Sequence, residues 1–305
     1  MILRLFILGV VACSIGSGVA ADSRPLLIEL SKPVVVVRTT NGAEVTRYLR
    51  EKPAGSPSKS ESAAYFHPFT TPKGLVLTDV GPDDHRHHRG IFFAWVNMQG
   101  ATPADFWGWG ALASTAGRRI VNRDVKIAAR GGFTAQNEWM AGDQVVLREE
   151  LRAQAGQRNG MNVLDVDFRL TPQIDITLPK TAFSGFCVRV PKSARIIAYE
   201  PSGLARYPAP QHDKPATGWP DRSWYAYTLE LPEGRGGVAV MNHPANPPTL
   251  WHNLASIGMI NPCIHAVASV ELKRDQPLRL RYLVVGFDGD VPTAALDAMA
   301  LEWGR

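Results

Sequence analysis

The chemistry-bearing residues of this chain concentrate just after position 80. The segment 81–90 reads GPDDHRHHRG, and His85, His87 and His88, three of the eight histidines, fall within four residues of one another. Histidine is the side chain whose ordinary pKa lies nearest neutrality, and it is also the commonest metal ligand. Such a cluster beside two carboxylates and two guanidiniums predicts a functional site. The alternative is a solvated turn that leads into a strand.

A second histidine, His67, stands in the run YFHPF at 65–69, which we expect on a strand adjacent to the cluster. If the cluster continued into a regular strand, alternation would put His87 and Arg89 on one face and His88 on the other. The three cluster histidines could not then all point into one pocket. At least one of them would be structural.

Two further groups supply aromatic and polar side chains. The run DFWGWG at 105–110 separates Trp107 and Trp109 by one glycine, which suits either a stacking platform for a sugar ring or a core pair. The run 241–253, rich in proline, presents His243, Asn246 and His252 from an extended loop.

From these groups we predict the site. His67, His87 and His243 are the candidates for proton transfer, and Arg89 would hold a substrate oxygen. The predicted substrate-binding residues are His85, His88, Trp107, Asn246, Trp251 and His252.

Several familiar site patterns are absent from the sequence. There is no HExxH helix, CxxC pair, GxSxG elbow, phosphate loop or dinucleotide-binding fingerprint, so we expect no cofactor. Three imidazoles with Asp83 or Asp84 would suffice for one divalent metal, but no spacing is diagnostic of one. We assign no metal ligands, and a metal-dependent enzyme stays open as an alternative.

The first residues predict export. Arg4, an apolar stretch and small residues ending at Ala20 form a signal peptide over 1–21, followed by one β domain over 22–305. The run that ends at Cys13 also resembles a lipoprotein signal, so the protein is expected in the periplasm or secreted, with a lipid anchor at Cys13 as an alternative. No transmembrane segment is expected, because the stretch is shorter than about 20 apolar residues.

The charge pattern argues against a nucleic-acid partner. The formal net charge is only +5, and the lysines and arginines are scattered among acidic residues. The expected partner is a carbohydrate or another small molecule.

Strand patterns dominate the chain and predict an all-β fold. Apolar residues alternate with polar ones over 164–170 and 174–178, and 145–152 is a further strand. The runs 270–272 and 278–282 are expected to form a hairpin, and 292–303 a C-terminal helix capped by Thr293 and laid on a sheet. The segments 51–62 and 208–220 are predicted to be mobile loops, too polar to bury. Together these elements favour a large antiparallel β-sandwich.

Five motifs together resemble a bacterial exported family of unknown function that carries the label "methane oxygenase PmoA". They are YFHPF, GPDDHRHHRG, DFWGWG, GFCVRV and NHPANPP…WH followed by NPC. Family members usually have proline where this chain has Arg86, aspartate where it has Asn242, and phenylalanine where it has Cys263, so no carboxylate stands at position 242. A membrane monooxygenase subunit would need several apolar spans, so the label does not describe this chain.

The resemblance implies a supersandwich like that of galactose mutarotase, and saccharide or keto-sugar processing. Our leading hypothesis is an exported carbohydrate-processing enzyme that uses histidine acid/base chemistry, with epimerase, lyase and hydrolase classes unresolved. Epimerisation or elimination next to a carbonyl suits imidazole better than hydrolysis, since no carboxylate pair is singled out. The rivals are a noncatalytic carbohydrate-binding domain and a metal-dependent enzyme.

Overall fold

The computed structural model describes residues 26–101, 103–128, 130–193 and 195–305. The predicted signal peptide and Cys13 lie outside these residues. The strands, in chain order, are β1 (Leu26–Leu30), β2 (Val34–Thr39), β3 (Glu44–Leu49), β4 (Tyr65–Phe69), β5 (Ile91–Ala94), β6 (Gln99–Gly100), β7 (Arg118–Ile127), β8 (Gly132–Ala141), β9 (Gln144–Arg158), β10 (Met161–Pro172), β11 (Ile176–Leu178), β12 (Gly185–Arg189), β13 (Arg195–Glu200), β14 (Gly203–Leu204), β15 (Trp224–Leu231), β16 (Gly234–Asn242), β17 (Leu250–Trp251), β18 (Met259–Ile260), β19 (Pro262–Cys263), β20 (Val270–Leu272) and β21 (Leu278–Asp288). One α-helix, α1 (Thr293–Trp303), follows, and short 3-10 turns cover Pro215–Thr217, Ala255–Ile257 and Ile264–Ala266.

Two large antiparallel sheets form the molecule, which confirms the predicted sandwich. A seven-stranded sheet runs β1-β2-β3-β4-β5-β12-β18, and a nine-stranded sheet runs β14-β13-β15-β16-β21-β10-β9-β8-β7. Their facing surfaces share one apolar core, in which Phe186 of the first sheet stacks on Tyr282 of the second with ring centroids 4.3 Å apart. Two small sheets, β20-β11-β6 and β17-β19, complete the architecture.

The C-terminal helix packs on the outer face of the nine-stranded sheet, as predicted. Its buried side chains Leu296, Met299 and Trp303 contact a second apolar cluster on that face. The predicted cap is wrong, because Thr293 is already the first helical residue and Pro292 precedes it with no side-chain hydrogen bond.

The predicted hairpin over 270–282 does not form. Strand β20 pairs with β11, whereas β21 pairs with β10 and β16. The connection between β20 and β21 is tied to another part of the chain, since Arg274 N donates to the Asp175 carboxylate at 2.8 Å and Asp275 N donates to Pro172 O at 2.9 Å. These long-range hydrogen bonds hold β20 beside β11.

The segment 51–62 is partly buried, although its composition predicts exposure. Ser58, Ser60 and Ser62 are buried, and each receives a hydrogen bond from a backbone N–H: Ser58 from Ser60, Ser60 from Ser62, and Ser62 from Ile120. Hydroxyls that are hydrogen-bonded in this way can be buried at little cost. The segment 51–62 therefore supports the turns that carry the clustered histidines.

Two absences hold for the described part of the chain. It contains no helix that is long and apolar enough to cross a membrane. Both cysteines in it, Cys187 and Cys263, are buried free thiols.

Candidate active site

The segment that carries the three clustered histidines is a pair of turns, and β5 begins only at Ile91. His85 N donates to Pro82 O at 3.0 Å, and His88 N donates to His85 O at 2.9 Å. The three imidazoles therefore lie together, with ring centroids 4.9 Å apart for His85 and His88 and 4.6 Å for His87 and His88. The expected alternation is wrong, because a turn does not impose the two-residue period of a strand.

Gly90 joins these turns to β5 and must be glycine. Its φ is +62°, and a Cβ there would lie 2.1 Å from the carbonyl oxygen of Phe66 on the neighbouring strand. Lys59 N donates to Arg86 O on the other side, so the 51–62 segment also holds the turns.

A pocket of about 240 Å³ opens beside the clustered histidines. Two more histidines, His212 and His252, come to it from distant loops. Five of the eight histidines thus face one hollow, and the lining residues are His85, His87, His88, Trp109, Phe183, His212, His252, Leu254, Ile257 and Met259. We call this hollow the histidine pocket.

One wall of the histidine pocket is aromatic. The rings of Trp109 and Phe183 meet edge to face at 5.2 Å, and Phe183 lies 5.4 Å from the His252 ring. Trp107 is fully buried behind this wall, 5.6 Å from His88. Of the tryptophan pair in DFWGWG, Trp109 lines the pocket and Trp107 belongs to the core.

The turn that presents Trp109 is held by two buried charges. The carboxylate of Asp105 accepts from Gly108 N at 2.7 Å and from Gly110 N at 2.6 Å. The guanidinium of Arg89 donates to the carbonyls of Phe106 and Trp107 at 3.3 and 3.2 Å, respectively. Arg89 is 1% exposed, and burial lowers its pKa only to about 10, so it stays charged at neutral pH.

Burial keeps four imidazoles of the pocket neutral, those of His85, His87, His88 and His252. It lowers the pKa of His87 to about 3 and that of His252 to about 4, and neighbouring imidazoles act in the same direction. Burial also brings the pKa of His85 below its usual value and that of His88 well below it. At pH 7 each of these rings therefore offers one N–H donor and one bare nitrogen.

The structure separates the three histidines predicted for proton transfer. His87 lines the histidine pocket, but His67 and His243 do not. His67 lies on β4, next to β5 as expected, with Nδ1 3.0 Å from Thr78 Oγ1. His243 lies beside Trp303, with ring centroids 4.8 Å apart, in a second pocket of about 670 Å³ against α1.

The other predicted residues divide in the same way. His85, His88 and His252 line the histidine pocket. Asn246 lines the second pocket, and its side chain is engaged with Asn242 Oδ1 and Arg281 O, both at 2.8 Å. Trp251 is fully buried against Tyr225, 5.0 Å away.

Six of the ten lining residues were not among the predicted site residues: Trp109, Phe183, His212, Leu254, Ile257 and Met259. Trp109 lies in the DFWGWG motif, from which Trp107 rather than Trp109 was predicted to bind the substrate. His212 and Phe183 carry no local signal, because each lies in a loop far along the chain from the clustered histidines.

The described residues contain no group of three or more His, Cys, Asp or Glu side chains arranged to hold a metal ion. The five imidazoles line the walls of a hollow without meeting at one point.

Fold and site together define an antiparallel β-sandwich protein with a histidine-lined, aromatic-walled pocket. The chain belongs to the Family of unknown function (DUF6807), whose model matches residues 35–301. That description names no activity and does not carry the methane oxygenase label. No curated protein is significantly similar to the chain.

Solved structures with similar architecture include a protein assigned as an aldose 1-epimerase from Klebsiella pneumoniae, with a TM-score of 0.44, 8% identity, and coverage of 89% of this chain and 84% of that one. The GH36 alpha-galactosidase AgaA from Geobacillus stearothermophilus has a TM-score of 0.37 and 10% identity over 86% of this chain. A polysaccharide lyase has a TM-score of 0.38 and 9% identity over 93% of this chain. The match spans only 40% of the galactosidase and 35% of the lyase. At such scores these likenesses carry no argument about activity.

Proposed function

We propose that this protein is an enzyme that moves a proton at a carbon atom next to the carbonyl of an uncharged sugar or keto-sugar, with His87 as the base. One observation carries the proposal: five imidazoles from three separated segments line a single pocket with an aromatic wall. Burial keeps at least four of these rings, including His87, neutral at pH 7. A core does not need such an arrangement, and it leaves the buried Nδ1 of His252 without a hydrogen-bond partner among the described residues.

The lining favours a small polyol as the ligand. Trp109 and Phe183 offer flat apolar surface for the C–H face of a ring, while neutral imidazoles donate to and accept from hydroxyl groups. Pockets for drug-sized ligands usually exceed about 300 Å³, so one of about 240 Å³ suits a single sugar ring.

The charges around the pocket disfavour an acidic ligand. No Lys, Arg, Asp or Glu side chain is among the lining residues. Arg89 was predicted to hold a substrate oxygen, but its guanidinium instead donates to the backbone carbonyls of Phe106 and Trp107. A carboxylate ligand would thus be buried without a cationic partner, which is costly.

The chemistry of the lining favours proton transfer over hydrolysis. Hydrolysis by a carboxylate pair needs two acids flanking the bond, and no carboxylate lines the pocket. A neutral imidazole can instead remove a proton from the carbon next to a carbonyl, and the electron pair of that C–H bond then moves onto the carbonyl oxygen. Return of the proton to the other face gives the epimer, and loss of a neighbouring hydroxyl as water gives the elimination product.

Deuterium exchange tests this proposal directly. The purified protein is incubated in D2O with a panel of neutral aldoses, keto-sugars and oxidised sugars, and mass spectrometry follows the uptake of deuterium at carbon. We expect uptake with at least one sugar and a loss of about 10²–10⁴-fold in rate for His87→Gln. Arg279→Met, which removes a cation paired with Asp167 far from the lining, is the matched control.

The remaining outcomes identify the rivals. Sugar binding in calorimetry without exchange or product would leave the noncatalytic carbohydrate-binding domain. Stoichiometric metal in elemental analysis, lost in a His85→Ala, His87→Ala double variant, would support the metal-dependent enzyme. No binding and no exchange across the panel would end the carbohydrate proposal.

We also propose that the protein acts outside the cytoplasm, on the strength of the signal peptide predicted at 1–21. The intact mass of the protein from its native host tests this. A chain that starts at Ala21 or Asp22 indicates export with cleavage, and a lipid-modified Cys13 indicates the anchor.

A further inference from the structure

We infer that Arg189, held by Asp84, fixes His88 as a hydrogen-bond donor through Nε2. This produces a division of work in the histidine pocket: His88 binds the substrate carbonyl oxygen, and His87 acts as the base. The tautomer of His88 is a property of the free protein. Only the division of work rests on the proposed function.

Arg189 is placed by the sheet. It ends β12, which lies between β5 and β18, and its N–H donates to Gly90 O at 2.9 Å. The side chain is fully buried, and its Nη2 donates to both carboxylate oxygens of Asp84, at 2.8 and 3.1 Å. Asp84 thus anchors a cation on the protein side of the histidine turns.

The second amino group of Arg189, Nη1, lies 3.4 Å from Nδ1 of His88. A guanidinium carries only donors, so Nδ1 must be the bare, accepting nitrogen of the ring. An N–H at Nδ1 would point one donor at another beside a buried positive charge. The proton of the neutral ring therefore resides on Nε2, which has no hydrogen-bond partner among the described residues. His88 lines the histidine pocket although only 2% of the residue is exposed.

This assignment separates two adjacent imidazoles by role. His88 cannot take up a proton at Nε2, and its Nδ1 faces Arg189, so it is unsuited to act as a base. The ring of His87 lies edge to face with that of His88 at 4.6 Å and has no hydrogen-bond partner among the described residues, so neither of its nitrogens is committed. In the proton transfer, His87 gains the proton from carbon, while the developing oxyanion accepts from His88 Nε2–H. The proton then returns from His87 to carbon, so that both rings end as they began.

Nitrogen-15 NMR of histidine-labelled protein tests the tautomer without any substrate. Long-range proton–nitrogen spectra at pH 7 distinguish a pyrrole-type from a pyridine-type nitrogen, and the signals of His88 are those lost in His88→Gln. We expect Nε2 protonated and Nδ1 bare in the wild type and in Arg279→Met, and a mixture of tautomers in Arg189→Met. If Arg189→Met does not fold, Asp84→Asn, which frees the guanidinium, is expected to weaken the same preference.

A wild-type His88 that is protonated on Nδ1, or on both nitrogens, overturns the inference. A folded Arg189→Met, or Asp84→Asn in its place, that keeps the wild-type pattern removes Arg189 as the positioning residue. These results stand whether or not a substrate is found.

The division of work is tested in the exchange assay with paired variants. Glutamine can donate a hydrogen bond but is not a base, so His88→Gln should keep the rate within about tenfold, whereas His88→Leu should lose about 10²–10³-fold. His87→Gln should lose as much as His87→Leu. The reverse pattern, with activity surviving in His87→Gln and lost in His88→Gln, would assign the roles the other way and contradict the inference.

Discussion

His252 should make the stability of the protein depend on pH. Its imidazole is 1% exposed, packs 5.4 Å from the Phe183 ring, and has no partner for Nδ1 among the described residues. Burial, aided by His212, lowers its pKa from 6.5 to about 4. The native state therefore binds this proton less readily than the unfolded chain does.

The sign of the effect follows from that difference. As the pH falls below 6.5, the unfolded chain takes up the proton first, so the free energy of unfolding decreases until the pH reaches about 4. The corresponding loss is about 3 kcal/mol for this one residue. Above pH 7 the contribution is fully retained.

Urea unfolding followed by tryptophan fluorescence at pH 7, 6, 5 and 4 measures the loss. The wild type should lose about 3 kcal/mol more than His252→Gln between the first and the last of these pH values. His243→Gln, which removes a half-buried imidazole in the second pocket, should reduce the pH dependence less. Parallel curves for the wild type and His252→Gln would show that His252 is not buried in a neutral state, and would refute this reasoning.

Three further outcomes are expected. Because the pKa of His87 is lowered to about 3, the exchange rate should stay flat from pH 7 to pH 5 in the folded enzyme, where a base with the ordinary pKa of 6.5 would lose about 25-fold. Gly108→Ala should slow exchange, because φ is +102° there and a Cβ would lie 3.0 Å from His87 Cβ. Expressed as free energies, the loss in the exchange rate should exceed the loss in stability measured by urea unfolding. Trp109→Ala should weaken sugar binding about tenfold in calorimetry and change the free energy of unfolding by less than about 1 kcal/mol, because the ring is only half-buried.

The period-two pattern was sufficient to predict the sandwich because it records burial within one strand. Alternation over 164–170 lies inside β10, and each buried residue there faces the core. The same pattern does not record which strand is the partner. The hairpin over 270–282 failed for that reason, since the neighbour of β20 is β11, almost a hundred residues earlier in the chain.

The site could be predicted in part for a similar reason. His85, His87 and His88 are close in sequence, so any compact turn keeps them together, and their density was visible without a structure. His67 and His243 were chosen by motif alone, and sheet pairing puts them elsewhere. His212 reaches the pocket from a loop whose composition predicted mobility.

Burial in the histidine pocket sets both the protonation state of the rings and their effect on stability. It removes water from the rings of His87 and His252 and lowers their pKa, so each ring is neutral at pH 7 and keeps one bare nitrogen. The same desolvation makes each ring a source of acid instability. Arg189 and Asp84 pair at the edge of this apolar hollow, where the carboxylate reaches solvent, so that a fixed donor is oriented without a net charge in the lining. A protein that only tied its loops together could use any hydrogen-bonded side chains, whereas a fixed N–H donor on His88 requires the buried cation of Arg189.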